Sequence, residues 1–185
     1  MHLQEITPLP AYAIKDLDDV GLLKVYLVQD FNHSVLMRLV NFELDVFGDL
    51  GMDEWGLVPQ IRHGNVFVLK EENASKIRGI AILMRDWEDP DKCYLFDFAI
   101  EEQVRGQGLG TLFLLAVCES VREQGFRKMS LTVDTDNKPA VRLYSDKLGF
   151  DIEEYREDEY GRGRDRYIMV LDLRDIDEEM LSVSN

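Results

Sequence analysis

Apolar residues recur at three- and four-residue steps in several stretches of the chain, and this spacing is typical of amphipathic helices. It predicts one helix over 33–47, before a glycine that ends it, and a shorter one around 53–61. A further helix is expected over 138–148. A fourth ends at Gly125, and its apolar stripe consists of Leu109, Leu112, Phe113, Ala116, Val117 and Val121.

The remaining apolar runs are short, rich in β-branched and aromatic residues, and bounded by turn residues, which favours strands. They are 24–29, 65–72, 77–87, 93–100, 129–135, 150–160 and 164–173. The second to fourth runs are separated by hairpin-sized gaps, so we expect an antiparallel meander there. The later strands alternate with helices and close in a hairpin. The sequence therefore predicts an α+β fold with a mixed, mostly antiparallel central sheet of six or seven strands flanked by helices.

The chain has 185 residues, of which 45% are hydrophobic, and this length and composition suit one globular domain. Repeats, low-complexity tracts and linker-like segments are not evident in the sequence. We expect a single domain over 1–185, with an N-terminal extension at 1–30, a core at about 31–173 and an acidic C-terminal tail at 174–185. The extension is a candidate dimerising arm, so a homodimer is one expectation.

The 21 basic and 36 acidic residues give a net charge of −15, which opposes binding to nucleic acid or to an anionic membrane. A cationic partner fits this charge, although the same charge also serves solubility. The apolar runs are shorter than the roughly 20 residues of a membrane span, and no secretion signal is evident. Cys93 and Cys118 lack the spacing of a metal site, so we expect free thiols, no metal and a cytoplasmic protein.

The segment 105–111, Arg-Gly-Gln-Gly-Leu-Gly-Thr, lies between a predicted strand and a predicted helix. Backbone N–H groups at a helix start have no intrahelical acceptor and can point at an anion. Glycine permits a positive φ and a close approach, so this loop is a candidate diphosphate cradle. It lacks the lysine of a P-loop, and its glycine spacing differs from that of the dinucleotide-binding fingerprint.

Arg105, Gly108 and Gly110 form the pattern Arg-x-x-Gly-x-Gly behind a strand that ends in Phe-Ala-Ile. This pattern resembles the coenzyme A signature of the GNAT superfamily of N-acetyltransferases. A second run, DNKPAVRLYSDKLGF at 136–150, resembles that family's second motif. The resemblance covers 62–172 well and 1–60 loosely. It implies a GNAT-like (acyl-CoA N-acyltransferase) fold, with acetyl-CoA or coenzyme A as the acyl-donor cosubstrate and no metal.

The resemblance also implies which residues bind the cosubstrate: the end of the strand at 98–100 would bind the pantetheine arm, and the glycine loop would bind the pyrophosphate. The implied set is Phe98, Ala99, Ile100, Arg105, Gly106, Gln107, Gly108, Leu109, Gly110, Thr111 and Asn137. Three alternatives stay open. The run 96–100 suits a plain buried strand, Arg105 suits a cap on loop carbonyls, and Asn137 suits a helix N-cap before Lys138-Pro139.

Tyr144 is the candidate general acid, because a neutral phenol can give its proton to a departing thiolate. It lies seven positions after Asn137, on the same face of the predicted helix. The alternative is an aromatic side chain that only packs on the sheet. The candidate bases are Asp97, Glu101, Asp134 or a water chain. Asp97 is the most informative, because a carboxylate in an apolar strand needs a partner or a role.

Family members that acetylate protein N-termini resemble one another in a glutamate five residues before the asparagine of the second motif. Here that position is Thr132, a departure that weakens this substrate class. We therefore expect acetyl transfer to a small cationic primary amine, by direct attack in a ternary complex. The alternatives are a protein lysine or N-terminal acetyltransferase, or a non-catalytic acyl-CoA-binding regulatory module.

Overall fold

The computed structural model describes residues 2–8 and 22–176, which form one eight-stranded mixed sheet with helices on both faces. The helices are α1 (His33–Phe47), α2 (Glu54–His63), α3 (Leu109–Glu123) and α4 (Lys138–Arg142). The strands are β1 (Leu3–Pro8), β2 (Leu23–Val28), β3 (Asn65–Glu71), β4 (Ile77–Arg85), β5 (Lys92–Ile100), β6 (Lys128–Asp134), β7 (Asp151–Arg156) and β8 (Arg166–Asp172).

The strand order across the sheet is β1-β2-β3-β4-β5-β6-β8-β7. Neighbouring strands are antiparallel except for β5 and β6, which are parallel and joined through α3. The predicted α+β class and the mixed, mostly antiparallel sheet are confirmed, but the described part of the chain has eight strands rather than six or seven. The extra strand is β1, whose sequence LQEITP has little apolar alternation and is ordered by pairing with β2.

The two faces of the sheet carry separate cores because successive strand residues point in opposite directions. In β4, Ile80 and Ile82 pack with α1 and α2, whereas Ala81 and Leu83 pack with α3. The helix pair α1 and α2 therefore covers one face, and α3 and α4 cover the other.

The helix bounds follow from capping residues that the sequence already shows. Asn32 Oδ1 accepts from the Val35 amide at 2.9 Å and begins α1, and Gly48 ends it with φ of 59°. Asp53 caps α2 in the same way, through the Gly56 amide at 3.1 Å. The predicted helices at 33–47 and near 53–61 are confirmed to within two residues.

The predicted helix at 138–148 is only partly regular. It is α-helical over Lys138–Arg142 and continues as a π-helical turn over Leu143–Lys147. The Ser145 hydroxyl donates to the Val141 carbonyl at 3.0 Å within this segment. Such π-helical turns often occur at functional sites, and this one contains Tyr144.

The predicted extension and tail are only partly described. In the extension, β1 pairs with β2 of the same chain, and Leu23 and Val25 of β2 belong to the core. Residues 9–21, most of the acidic tail and Met1 lie outside the described residues. The domain limits and the homodimer remain predictions. Among the described residues no helix is long and apolar enough to cross a membrane.

Candidate active site

A gap opens in the sheet where β5 and β6 diverge. The two strands pair only from Lys92 opposite Lys128 to Leu95 opposite Leu131. Beyond this point β6 continues to pair with β8, whereas residues 97–100 of β5 pair with β4 alone and Phe96 lies at a shift in the β4–β5 register. One edge of 96–100 therefore faces an opening in the sheet, and the backbone groups on that edge are available to a bound molecule.

This opening is a cleft of about 320 Å³ that we call the central cleft. It is formed by the diverging ends of β5 and β6, the start of α4, the π-helical turn, and the β7–β8 region. Its lining residues are Leu95, Phe96, Asp97, Phe98, Leu131, Thr132, Val133, Asp134, Asn137, Ala140, Leu143, Tyr144, Tyr160 and Arg166.

The glycine loop before α3 has the geometry of an anion cradle. Gly106 and Gly108 have φ of 78° and 81°, and a Cβ added to either would meet nothing within 4 Å. The first α3 hydrogen bond runs from the Leu112 amide to the Gly108 carbonyl, so the N–H groups of the first turn have no intrahelical acceptor. The buried Gln107 Oε1 also has no hydrogen-bond partner among the described residues.

The cradle adjoins the central cleft. A Cβ on Gly110, in the first turn of α3, would lie 3.7 Å from Leu143 Cδ2 and 3.9 Å from Phe98 Cε1, both in the cleft lining. The exposed Arg105 ties the loop to the end of β5, since its Nε donates to the Ile100 carbonyl at 2.8 Å. The carbonyl-capping role of Arg105 is therefore present.

The structure brings the two polar residues of the second motif together. Asn137 Oδ1 caps α4 by accepting from the Ala140 amide at 3.2 Å, and Asn137 also lines the central cleft. Tyr144 is buried, with its ring edge against Phe150 at 5.7 Å between ring centroids. Burial, and then the charge of Asp97, raise the pKa of the Tyr144 phenol, so it is neutral at physiological pH and retains a proton to donate.

The three carboxylates considered as bases have different surroundings. Glu101 is ion-paired with Arg78 at 2.6 Å and with Lys76 at 2.5 Å, and these cations outweigh its burial and lower its pKa. The pKa of Asp134 is lowered by the Asp136 amide and by Arg166. A carboxylate with a lowered pKa is a poor proton acceptor.

Asp97 differs from both because burial raises its pKa. It pairs with Ile82 of β4, so its side chain points to the α1 face of the sheet and also lines the central cleft. Across the opening, β6 contributes Thr132 and the ion-paired Asp134 to the cleft lining. Of the two carboxylates that line the cleft, only Asp97 of β5 has a raised pKa.

Sequence reasoning missed Glu43 of α1, which is 1% exposed and in contact with Asp97. Its Oε2 accepts from the Met52 amide at 3.3 Å. Burial, and then the charge of Asp97, raise the pKa of the Glu43 carboxyl. The signal was present in the sequence: Glu43 lies seven residues after Leu36, at a position of the helix stripe that should be apolar.

The described residues contain no group of three or more histidine, cysteine or acidic side chains arranged to hold a metal ion. Cys93 and Cys118 are both free and buried, and burial raises the pKa of the Cys93 thiol to about 12. These thiols are therefore protonated and lie in the core rather than in the central cleft.

The family model described as "Acetyltransferase (GNAT) family" matches residues 34–150 of the chain. An N-alpha-acetyltransferase of Sulfurisphaera tokodaii is 34% identical over 83 residues, which is 44% of this chain and 49% of that protein. A mycothiol acetyltransferase of Actinosynnema mirum is 32% identical over 84 residues, 45% of this chain and 27% of that protein. These two matches thus span about a quarter and about half of the length of the respective relatives.

The fold also matches solved structures. A GNAT family acetyltransferase from Elizabethkingia anophelis, crystallised with acetyl-CoA bound, superposes with a TM-score of 0.63 at 16% sequence identity. The superposition covers 81% of this chain and 97% of that one. At this identity the similarity concerns the fold.

Proposed function

The chain belongs to the GNAT acetyltransferase family, and from this premise we propose that it transfers an acetyl group from acetyl-CoA to a small cationic primary amine. The amine attacks the thioester directly while both substrates are bound. The observation that carries the proposal is the central cleft, which adjoins the glycine cradle and is lined by both Asp97 and Tyr144.

The residues present fit coenzyme A. The open space in front of Gly106 and Gly108 and the free amides of the first α3 turn suit a pyrophosphate. The unpaired edge of residues 96–100 suits the amides of a pantetheine arm. The net charge of −15 repels a polyanion at long range, but salt screens this repulsion over about 8 Å, and the cradle amides and Arg105 act at contact.

Bound acetyl-CoA would supply the activated acetyl group, and the protein's own groups would move the protons. Asp97 accepts a proton from the incoming amine, which is mostly protonated at neutral pH and must become neutral to attack. Tyr144 donates its proton to the departing thiolate. Because the Asp97 charge contributes to the raised pKa of Tyr144, protonation of Asp97 makes the phenol a stronger acid as the thiolate leaves.

The preference for a cationic amine is supported by two charges: the acidic chain as a whole, and the carboxylate of Asp97 in the cleft. The competing acceptor is a protein N-terminus or lysine. Similarity to the Sulfurisphaera N-alpha-acetyltransferase favours it, and Thr132 counts against it. A non-catalytic acyl-CoA-binding module is the third candidate, but such a module has no need for Asp97 and Tyr144 in one cleft.

The test has two stages. Calorimetric titration with acetyl-CoA and coenzyme A measures cosubstrate binding, and we expect micromolar affinity. Release of the coenzyme A thiol is then followed with a panel of polyamines, aminoglycoside-like amines, lysine peptides and N-terminal peptides. Turnover of the small cations supports the proposal. Turnover of peptides alone would instead make a protein lysine or N-terminus the acceptor. Binding without any turnover favours the regulatory module.

A further inference from the structure

Two carboxyl groups meet between α1 and β5 without a cation to balance them. Glu43 is a buried residue of α1, and Asp97, opposite Ile82 of β4, points to the face of the sheet that α1 covers. There the charge of Asp97 adds to burial in raising the pKa of the Glu43 carboxyl. Neither carboxyl forms an ion pair within the described residues. Two neighbouring negative charges, one of them buried, repel each other strongly, and a proton on one carboxyl removes this repulsion.

The hydrogen-bond partners of Glu43 identify where that proton lies. Its Oε2 accepts from the Met52 amide, whereas no donor from the rest of the described chain reaches its buried Oε1. Ionised carboxylates only accept hydrogen bonds, so the contact between Glu43 and Asp97 becomes a hydrogen bond only when one of them is protonated. Glu43 is the more buried of the two and therefore the better proton holder.

The turn after α1 fixes Glu43 in this place. A Cβ added to Gly51 would lie 2.6 Å from the Glu43 carbonyl carbon and oxygen, so the glycine allows the turn to pack directly on the helix. The neighbouring Met52 amide then reaches the Glu43 carboxyl. The backbone on both sides of Glu43 thus restricts where its carboxyl can lie.

We propose that Glu43 is a positioning residue that shares one proton with Asp97, donating a hydrogen bond from its protonated carboxyl to the Asp97 carboxylate. The inference rests on the function proposed above. In the reaction, an ammonium N–H bond breaks and its proton moves to an Asp97 oxygen, which later releases it to solvent. Glu43 keeps its own proton throughout and holds the oxygen of Asp97 towards the cleft.

Other titratable groups also face the pair. Tyr144 approaches from the π-helical turn, and the mutually paired Asp134 and Arg166 line the far side of the cleft together with Tyr160. Tyr144 is neutral, and the Asp134–Arg166 pair carries no net charge. The pKa of Asp97 is therefore set by burial, which raises it, and by hydrogen bonds from the Phe98 amide and from Glu43, which lower it.

The first test needs no substrate. Carboxyl ¹³C NMR titration of the full chain compares the wild type with Glu43→Gln and Glu43→Leu. We expect the wild type to show two coupled carboxyl titrations, both above the ordinary values near 4. Glu43→Gln should show a single step for Asp97 with little change in its position, because the amide still donates. Independent titration of Asp97 near its ordinary value would overturn the inference.

The second test is the dependence of kcat/KM on pH. Glu43→Leu removes the hydrogen-bond donor to Asp97, so the acid limb of the kcat/KM profile should move to higher pH by about one unit. Below the midpoint of that limb, this shift equals about a tenfold loss of kcat/KM. Glu43→Gln should restore the limb to the wild-type position, a rescue that a purely structural role does not predict. If the limb of Glu43→Leu coincides with the wild type, the inference is wrong.

A matched control removes a carboxylate elsewhere. Glu119→Gln, on α3 and paired with Arg122 outside the cleft, should leave the pH profile unchanged. The two tests also separate the two proposals. A shared proton without turnover of any amine overturns the proposed function and the catalytic use of the pair. Turnover with an independently titrating Asp97 overturns only the role of Glu43.

Discussion

The two ends of the proposed catalytic cleft are built differently. The proposed donor side is one continuous loop, 105–111, whose candidate binding groups are backbone amides exposed by glycine. The proposed acceptor side is a set of side chains from distant segments, with the buried Glu43 from α1 and the half-buried Asp97 from β5. A ligand site made of backbone amides needs particular residues only for their conformational freedom. In a proton-transfer site, by contrast, the pKa of each carboxyl depends on the residues packed around it.

Because of this difference, we expect the two sides to respond differently to ionic strength and to pH. The amides of the cradle do not titrate, so their affinity for a pyrophosphate should vary with ionic strength more than with pH. The Glu43–Asp97 pair has raised pKa values and titrates near neutrality. Binding of the donor and use of the acceptor can therefore be disrupted independently.

The largest effect is expected on the donor side. Gly108→Trp should abolish measurable acetyl-CoA binding, a loss of at least about a thousandfold or about 4 kcal/mol, because the indole fills the cradle. Gly125→Trp is the matched control, since Gly125 at the other end of α3 also has a positive φ, 98°, and open space before it. Calorimetry should show normal binding in the control, and equal losses in both variants would assign the effect to backbone strain.

On the acceptor side, Asp97→Asn should lower kcat by about 10²- to 10³-fold, because the variant has no base to accept the amine proton. The affinity for acetyl-CoA should stay unchanged, which calorimetry checks. Glu101→Gln and Asp134→Asn test the rival bases by the same assay. A larger loss in either of those variants would transfer the role of base to that carboxylate.

Tyr144→Phe, at the boundary of the two sides, should lower kcat by about a hundredfold while the ring packing against Phe150 is retained. Single-turnover release of the coenzyme A thiol is the appropriate measurement, because it isolates the chemical step. Tyr167→Phe, on β8 and outside the cleft lining, is the control for loss of a phenol. An unchanged rate in Tyr144→Phe would leave the tyrosine with a packing role only.

The smallest effect concerns stability. Because the folded-state pKa values of Asp97 and Glu43 are raised to about 6 and about 7, the folded state binds more protons than the unfolded state between about pH 4 and 7. The pair's contribution to stability is therefore present at low pH and is lost as pH rises through this window. Asp97→Asn should be relatively more stable at pH 8 than at pH 5, by about 1–3 kcal/mol, in urea unfolding. Parallel pH curves for the two proteins would contradict the raised values.

Much of the fold was predictable because its elements carry local signals. The helix at 33–47 has both a regular apolar stripe and capping residues, and its predicted bounds match the structure. The strand β1 was missed because its order comes from pairing with β2. The predicted helix at 138–148 changes to a π-helical turn at Leu143, a detail that helical periodicity does not encode.

The residues of the candidate site were likewise predictable only where they lie close together in the sequence. The loop 105–111 and the run 136–150 are contiguous, so the sequence alone identified the cradle, the cap at Asn137 and the candidate acid Tyr144. The candidate base could not be chosen among Asp97, Glu101 and Asp134, because the choice depends on ion pairs formed with Arg78 and Arg166.

The sequence by itself determined the α+β class and the family resemblance, and it located the glycine loop proposed as the cradle, since these depend on periodicity and on residues close together in the chain. The tertiary structure decided which of the three candidate carboxylates has no ion pair among the described residues. It also placed Glu43 beside Asp97, which lies 54 positions later in the sequence. The physical reason is that backbone conformation is specified locally, whereas the pKa of a buried group is set by whatever the fold packs against it.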